Sequence, residues 1–267
     1  MLKNCLEEFT DVVITGGSSG IGMAFIESLF ALNKKVVIYN LSRSKPVLVN
    51  SDITMIHHSC DLSNDGDRKK QFLLLKEDLL MKKGRGKLLL INNSGFGTYG
   101  PFPEPDLDSQ LNMIDLNIKG LVDLTGFLLP LLKERKGAII NIASTASFQP
   151  TPYLSTYGAT KAFVQHWGLS LSQELKHDGI HVLTSCPGPT RTNFFARAGF
   201  KKSPVSDWQG LSAAEVVDDV LHALAKKKIL ITSGWNNKFL VALSSICPKS
   251  IVTPLAGIIL KKVRSKG

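Results

Sequence analysis

A strand that turns through glycines into a helix is the feature that most constrains the fold of this chain. Residues 12–22 read Val-Val-Ile-Thr-Gly-Gly-Ser-Ser-Gly-Ile-Gly, and the apolar start predicts a short buried strand. Gly16 permits the tight turn, Gly20 a close approach of the backbone to a ligand, and Gly22 close packing of helix on strand. Exposed N–H groups and the helix dipole at such a turn attract phosphate groups. The stretch therefore predicts a pyrophosphate-binding turn.

Apolar strands and amphipathic helices alternate along the rest of the 267 residues. Parallel strands joined by helices wind in a right-handed sense. The sequence therefore predicts one α/β domain over residues 1–267, with a Rossmann-like, doubly wound, mostly parallel seven-stranded sheet and helices on both faces. We expect strands at 12–15, 35–39, 54–60, 87–91, 137–144, 180–186 and 229–232, and helices at 23–32, 65–80, 108–132, 156–175 and 213–224.

The charge balance is strongly basic, with a formal net charge of +10 and a pI of about 9.4. The basic runs at 82–87 and 226–228 are not interleaved with aromatic residues, which disfavours a nucleic-acid groove. We expect a solvated basic surface whose field favours a phosphate-bearing cofactor or an anionic surface.

The cysteine spacing and the acidic residues near the N-terminus indicate whether the protein binds a metal and in which cellular compartment it is located. No CxxC pair or Cys/His metal spacing occurs, so we expect no metal site and buried, reduced thiols at Cys5, Cys60, Cys186 and Cys247. Glu7, Glu8 and Asp11 interrupt the apolar run that an export signal needs. These observations predict a cytoplasmic protein.

A serine at a strand end precedes a Tyr-x-x-x-Lys pair. Ser144 closes the apolar run 137–143, at the carboxyl edge where ligands bind in open α/β sheets. Tyr157 follows thirteen residues later and Lys161 four residues after that, within a predicted helix. Residues four apart share a helix face, so both side chains are expected to point into one pocket. Tyr153 has no lysine at that spacing.

These motifs, in this order, resemble those of the short-chain dehydrogenase/reductase family. The resemblance rests on the Thr-Gly-x-x-x-Gly-x-Gly loop at 15–22, the Asn-Asn-Ser-Gly run at 92–95, Asn117, Ser144 and the Tyr157/Lys161 pair, and it spans roughly residues 11–232. Ser94 stands where most of the family has Ala. The resemblance implies hydride transfer between NADP or NAD and a carbonyl or alcohol. The alternative is a non-catalytic nucleotide-sensing or scaffold protein.

The resemblance also implies the catalytic roles. Tyr157 is the acid in reduction and the base in oxidation. The ammonium of Lys161 and the positive oxidised nicotinamide bring the pKa of Tyr157 closer to working pH, and Lys161 also binds the nicotinamide ribose. Ser144 stabilises the charge on the substrate oxygen. Asn117 breaks its helix locally and its carbonyl holds a water of the proton relay, although an ordinary polar helix residue is the alternative.

The same resemblance implies a set of cofactor contacts. Asp61 and the N–H of the next residue hold the adenine, although Asp61 as a cap of the following helix is an alternative. The backbone at Thr190 and the hydroxyl of Thr192 hold the carboxamide. The expected cofactor residues are Gly16, Ser18, Ser19, Gly20, Ile21, Gly22, Arg43, Asp61, Leu62, Asn93, Gly95, Tyr157, Lys161, Pro187, Gly188, Thr190 and Thr192.

The end of the second strand indicates which nicotinamide cofactor is preferred. An acid there binds the ribose hydroxyls of NAD, but residues 40–44 read Asn-Leu-Ser-Arg-Ser. Arg43 can pair with a 2′-phosphate, which favours NADP and leaves NAD possible. The family basic residue often stands two positions earlier, at Leu41 here, or within the glycine loop, where this chain has serines. A solvated Arg43 is the alternative.

The last third of the chain is expected to cover the substrate. A lid at 190–211 carries Phe194, Phe195, Phe200 and Trp208, which favours an apolar ketone or aldehyde. In the tail at 236–267, Pro248, Lys249 and Pro254 interrupt the apolar run, so we expect no membrane span. The tail predicts helices over the pocket, an oligomer contact, or a membrane-surface helix that serves a lipid-carbonyl reductase. Family analogy suggests a homodimer or homotetramer built through the helices at 108–132 and 156–175.

Overall fold

A seven-stranded, all-parallel sheet forms the centre of the computed structural model, which describes residues 1–48, 50, 52–81, 86–104, 106–200 and 210–265. The strand order is β3-β2-β1-β4-β5-β6-β9, and β7 pairs with β8 outside this sheet. The strands are β1 (Phe9–Thr15), β2 (Val37–Ser42), β3 (Met55–Ser59), β4 (Lys87–Asn92), β5 (Ala138–Ile142), β6 (His181–Ser185), β7 (Thr190–Arg191), β8 (Leu211–Ser212) and β9 (Leu230–Ile231).

Helices cover both faces of the sheet and form the C-terminal end of the chain. They are α1 (Leu2–Glu7), α2 (Gly20–Leu32), α3 (Asp65–Met81), α4 (Leu107–Ile114), α5 (Leu121–Glu134), α6 (Ser155–Glu174), α7 (Phe194–Arg197), α8 (Ala213–Ala225), α9 (Trp235–Ile246) and α10 (Lys249–Ser265). A π-helical turn, Asp115–Gly120, joins α4 to α5, and a 3-10 turn, Thr145–Phe148, follows β5.

The core lies on both sides of the sheet because successive strand residues point to opposite faces. In β1, Val12 and Ile14 pack with α2 and α8, whereas Val13 packs with α3 and α5 on the other face. All three side chains are fully buried. Burial on both faces explains the continuous apolar runs of the strands, and it confirms the predicted Rossmann-like architecture.

The strand order places a ligand crevice between β1 and β4. The chain leaves β1 towards β2 on one side, and β4 pairs with β1 on the other, with Ile14 opposite Ile91. Ligands of open α/β sheets bind at the carboxyl ends of the strands where the order reverses in this way. The glycine turn after β1 and the Asn92–Gly95 run after β4 therefore meet at one edge.

Several predicted element boundaries were wrong. β2 continues through Ser42 instead of ending at residue 39, so Arg43 directly follows the strand. The region 108–132 is divided into α4 and α5 by the π-helical turn, at the local break predicted for Asn117. Helix α10 runs through Pro254, which costs one backbone hydrogen bond without ending the helix. The prediction that all four thiols are buried is also wrong for two of them, because Cys5 and Cys247 are only half-buried. Among the residues described, no helix combines the length and apolar character that crossing a bilayer requires.

Candidate active site

The glycine loop has the shape that a bound pyrophosphate requires. Gly16 and Gly20 adopt φ angles of +69° and +58°, which favour glycine. A Cβ atom on Gly22 would overlap the carbonyl oxygen of Gly16 and lie 2.6 Å from Nδ2 of Asn93. Because α2 begins at Gly20, its N–H groups and dipole face this loop. The loop therefore fits the phosphates of a dinucleotide.

The Gly22→Ala variant is expected to raise the dissociation constant for NADP at least about tenfold. The added methyl group meets backbone, which cannot swing aside, so the loop has to shift. Isothermal titration with NADP measures the effect. Gly126→Ala is the matched control, because a Cβ on this glycine of α5 meets nothing within 4 Å. Unchanged binding in Gly22→Ala would show that the loop does not hold the cofactor.

Three polar side chains brace the glycine loop, and two of them, Asn40 and Thr15, were not predicted from the sequence. Asn40, at 0% exposure, accepts the N–H of Gly17 on Oδ1 at 2.9 Å. The hydroxyl of Thr15 accepts the N–H groups of Asn93 and Ser94, at 3.0 and 2.9 Å. A buried Asn at the position of the usual acid and a Thr before the first glycine were the available signals.

The side chain of Asn93 points towards the glycine loop and forms hydrogen bonds with it. Its Nδ2 donates to the carbonyl oxygens of Thr15 and Gly16, at 2.9 and 3.2 Å. Its predicted contact with the cofactor stays a prediction, whereas the contacts in the structure show that it braces the loop.

Tyr157 and Lys161 lie one turn apart on α6 and face the same space, as their spacing predicted. Nζ of Lys161 lies 6.0 Å from the centre of the Tyr157 ring and donates to the carbonyl oxygen of Ile142 at 2.9 Å. Both side chains are buried, with 9% and 5% exposure. Ser144 lies at the start of the 3-10 turn and accepts the N–H of Ala146 on Oγ at 3.1 Å.

Burial controls the protonation of both groups. Burial raises the pKa of Tyr157 to about 12, although a hydrogen bond from Ser144 acts to lower it. Burial lowers the pKa of Lys161 to about 8. In the protein alone, desolvation outweighs the neighbouring hydrogen bond. The predicted lowering of the Tyr157 pKa involves the oxidised nicotinamide and stays a prediction. At neutral pH the tyrosine is a protonated phenol beside a cationic lysine.

Asn117 lies in the π-helical turn, which confirms the predicted local break of the helix. Its Oδ1 accepts the N–H of Phe96 at 3.2 Å, and its Nδ2 donates to the carbonyl of Phe96 and to Oγ1 of Thr160, both at 3.0 Å. The side chain therefore holds the loop after β4 against α6. Gly95 is needed there, since a Cβ would lie 3.0 Å from Oδ1 of Asn117 and 3.1 Å from Nζ of Lys161. The water held by Asn117 stays a prediction.

The turn after β6 lies across the glycine loop. Oγ1 of Thr190 donates to the carbonyl of Gly188 at 2.9 Å, and Cγ2 of Thr192 lies 3.3 Å from where a Cβ on Gly20 would be. Pro187 is buried and Gly188 half-buried in the same turn. A dinucleotide whose phosphates occupy the loop would thus have its nicotinamide end beside this turn and Tyr157.

The opposite end of the loop holds the two residues predicted for the adenosine. Arg43 is exposed directly after β2. Although burial alone raises the pKa of Asp61, hydrogen bonds from Ser63 and the charge of Arg43 lower it overall. Asn64, not Asp61, caps α3 by accepting the N–H of Asp67 at 2.9 Å, so the alternative role of Asp61 was wrong. The buried Leu62 follows Asp61 at this edge.

The half-buried serines and Ile21 complete the loop between these ends. Ser18 and Ser19 precede α2, and Ser19 adopts an extended conformation at the helix N-cap without a side-chain cap bond. Ile21 packs against the core cluster of α2 and α8. The structure therefore gathers the predicted cofactor residues along one edge of the sheet.

An aromatic cluster covers the outer side of Tyr157. The ring of Phe194 lies 5.2 Å from that of Tyr157, and Phe200 stacks on Tyr99 at 4.1 Å between ring centres. Leu260 of α10 packs into the same cluster, and its carbonyl accepts the hydroxyl of Tyr99 at 2.6 Å. The part of the predicted lid at 201–209, including Trp208, lies outside the described residues. Apolar side chains therefore adjoin the phenol.

Several known proteins are similar to this chain in sequence and in fold. Residues 10–202 match the family of short chain dehydrogenases. The chain is 34% identical over 185 residues to a very-long-chain 3-oxoacyl-CoA reductase of Neurospora crassa, covering 65% of this chain and 54% of that protein. It is 32% identical to serine 3-dehydrogenase of Rhizobium radiobacter, covering 68% and 73%. It thus spans about half the length of the reductases it matches.

A solved structure of a related protein has a similar fold. A short-chain dehydrogenase from Sphingobium yanoikuyae, in complex with NADPH, superposes with a TM-score of 0.73 at 28% identity, over 84% of this chain and 87% of that one. The seven-stranded parallel sheet with helices around it agrees with these comparisons. The chain belongs to the short-chain dehydrogenase family, whose members are NAD(P)-dependent oxidoreductases.

Proposed function

We propose that this protein reduces an apolar ketone or aldehyde with NADPH. The observation that carries the proposal is a buried phenol, Tyr157, that is protonated at neutral pH and adjoins an aromatic cluster. A protonated phenol is the form that a carbonyl reduction needs, because the product oxygen has to receive a proton. Aromatic side chains that line a pocket favour substrates with a large apolar part.

Each residue of the site has a distinct task in this reaction. The nicotinamide, when bound, supplies the hydride to the carbonyl carbon. Ser144 donates a hydrogen bond to the carbonyl oxygen as negative charge develops there. Tyr157 gives its proton to the same oxygen, and the ammonium of Lys161 stabilises the phenolate that remains. Asn117 acts through the loop after β4 and is a positioning residue.

Three observations support NADPH over NADH. Arg43 follows β2 directly and lowers the pKa of Asp61, so its charge acts at the adenosine end of the site. The relative from Sphingobium yanoikuyae binds NADPH. The end of β2 offers Asn40 instead of an acid, so no carboxylate repels a 2′-phosphate there.

The Arg43→Ala variant is expected to weaken NADPH binding about tenfold to a hundredfold and to leave NADH binding nearly unchanged. A charged hydrogen bond to the 2′-phosphate is lost, and NADH has no such phosphate. Fluorescence titrations with both cofactors measure the difference. Lys45→Ala removes a nearby exposed cation as the control. Equal losses for NADPH and NADH would contradict the role of Arg43.

The substrate class is tested by varying the length of the apolar chain. The relatives differ, since one acts on very-long-chain 3-oxoacyl-CoA and another on serine. Consumption of NADPH with 3-oxoacyl thioesters of increasing length should show kcat/KM rising about threefold to fourfold per buried methylene. Oxidation of serine with NADP, without reduction of any thioester or apolar ketone, would overturn the proposal.

The expected homo-oligomer and cytoplasmic location stay predictions. Size-exclusion chromatography of the purified chain tests the first. The reaction proposed above depends on neither.

A further inference from the structure

Helices α9 and α10 present large apolar side chains to solvent. On α9 the exposed residues recur every three or four positions, which places them on one face. Trp235 is 77% exposed and Ile246 is 83% exposed. The α9 face comprises Trp235, Phe239, Leu240, Leu243 and Ile246.

Helix α10 repeats this arrangement after the connection Cys247–Pro248. Its exposed apolar residues also lie three or four positions apart, and each is more than half exposed. The α10 face comprises Ile251, Leu255, Ile258 and Ile259. Monomeric soluble proteins rarely expose so much apolar surface without an interaction partner.

The opposite sides of both helices are held against the protein, so the apolar faces cannot turn inward. Ser244 of α9 is buried, and Lys249 donates to the carbonyl oxygens of Ser244 and Phe148 at 2.8 and 2.7 Å. On α10, Ala256 is buried and Leu260 packs into the aromatic cluster beside Tyr157. The orientation of the faces is therefore built into the fold.

The charge of the same segment is exclusively positive. Residues 235–265, which comprise α9, α10 and their connection, contain five Lys and Arg residues and no Asp or Glu, and thus supply half of the net charge of +10. Exposed cations adjoin the apolar faces at Lys238, Lys261 and Lys262. Helices α9 and α10 therefore carry positive charge without any carboxylate to compensate it.

We propose that α9 and α10 dock this protein onto an anionic phospholipid surface, with both helices lying in the interface. Apolar side chains that enter the headgroup region and flanking cations that bind anionic lipids are the two requirements of an interfacial helix. A second copy of the chain fits this surface poorly, because symmetric pairing would bring the positive segments together. Docking does not require the catalytic activity.

Docking has a consequence for the site. Helix α10 packs Leu260 into the aromatic cluster next to Tyr157, so a bilayer bound by α10 would lie near the apolar part of the substrate pocket. An apolar substrate could then enter from the lipid phase. This consequence rests on the proposed function, whereas the docking itself does not.

Vesicle flotation of the full chain tests the proposal. We expect the protein to bind vesicles of phosphatidylcholine mixed with phosphatidylglycerol at least tenfold more tightly than vesicles of phosphatidylcholine alone. The triple variant Trp235→Ser, Phe239→Ser, Ile246→Ser should weaken binding to the mixed vesicles at least tenfold. The matched control removes three exposed apolar residues of α3, with Leu73→Ser, Leu80→Ser and Met81→Ser.

A charge-reversal pair separates electrostatic from apolar attraction. Lys261→Glu with Lys262→Glu should weaken binding to the mixed vesicles severalfold, while Lys69→Glu with Lys70→Glu on α3 should not. The Tyr157→Phe variant should float like the unmodified chain, so failure of docking and failure of catalysis are distinguishable. Absence of flotation, equal loss in the α3 controls, or a dimer that the α9 variant dissociates without any vesicle binding would overturn the proposal.

Discussion

The Tyr157→Phe variant is expected to lose turnover by about a thousandfold while its NADPH affinity changes by less than about threefold. General acid catalysis by a positioned side chain contributes on this order, and the variant keeps the ring but not the proton. The ring packs against Phe194 and Gly97, so the cluster around it should survive the change. Single-turnover kinetics and a cofactor titration measure the two effects separately.

Tyr153→Phe is the control for this experiment. Tyr153 lies near the same cluster, with its ring 6.2 Å from that of Tyr99, but no lysine follows it at the required spacing. Turnover in this variant should stay within about twofold of the unmodified enzyme. If Tyr157→Phe kept its activity, or if both variants lost it equally, Tyr157 would not be the acid.

The Lys161→Met variant is expected to lose turnover by about a hundredfold or more and, without cofactor, to be more stable at pH 7. The folded protein holds the pKa of Lys161 at about 8, below the ordinary value of 10.5. Burying this cation costs on the order of 3 kcal/mol at neutral pH, at 1.36 kcal/mol per pKa unit. The unpaired carbonyl of Ile142 in the variant offsets about 1 kcal/mol of the gain.

The stability difference between Lys161→Met and the unmodified enzyme is expected to depend on pH. Between pH 8 and 10.5 the unfolded chain binds a proton at Lys161 that the folded chain has lost, so the stability of the unmodified enzyme rises with pH in that window. The stability advantage of Lys161→Met should therefore be full below pH 8 and shrink towards pH 10.5. Thermal unfolding of both proteins without cofactor, at pH 7 and pH 10, measures it.

Lys119→Met serves as the control for both readouts. Lys119 is an exposed lysine of the π-helical turn that pairs with Asp115 at 2.7 Å, and removing it should leave turnover nearly unchanged. A Lys161→Met variant that kept its turnover, or that was less stable than the unmodified enzyme at pH 7, would contradict the buried, charged lysine that the structure shows.

Much of this site follows from short-range patterns in the sequence. The apolar runs predict buried parallel strands, and the glycines at 16, 20 and 22 predict a turn that only residues without Cβ can form. The four-residue spacing of Tyr157 and Lys161 predicts a shared helix face. Such features depend on residues a few positions apart, so backbone geometry alone is enough to infer them.

The polar network beneath the loop could not be predicted in the same way. Asn40, Asn93 and Thr15 lie at the ends of β2, β4 and β1, which meet only because the strand order brings those ends together. Likewise, β2 extends to Ser42 because it pairs with β3 through Ser59. Pairing between distant segments, rather than local propensity, decides these features.

Protonation and surface exposure were also decided only by the tertiary structure. From the sequence alone, nothing indicated that enclosure of the Tyr157 phenol raises its pKa in the protein without cofactor. For α9 and α10, the sequence determined the apolar periodicity and the positive charge. The contacts of Lys249 with Phe148 and of Leu260 with Tyr99 determined which face of each helix meets solvent. Desolvation and exposure depend on what the whole chain places around a side chain, and this is why periodicity and spacing alone left them open.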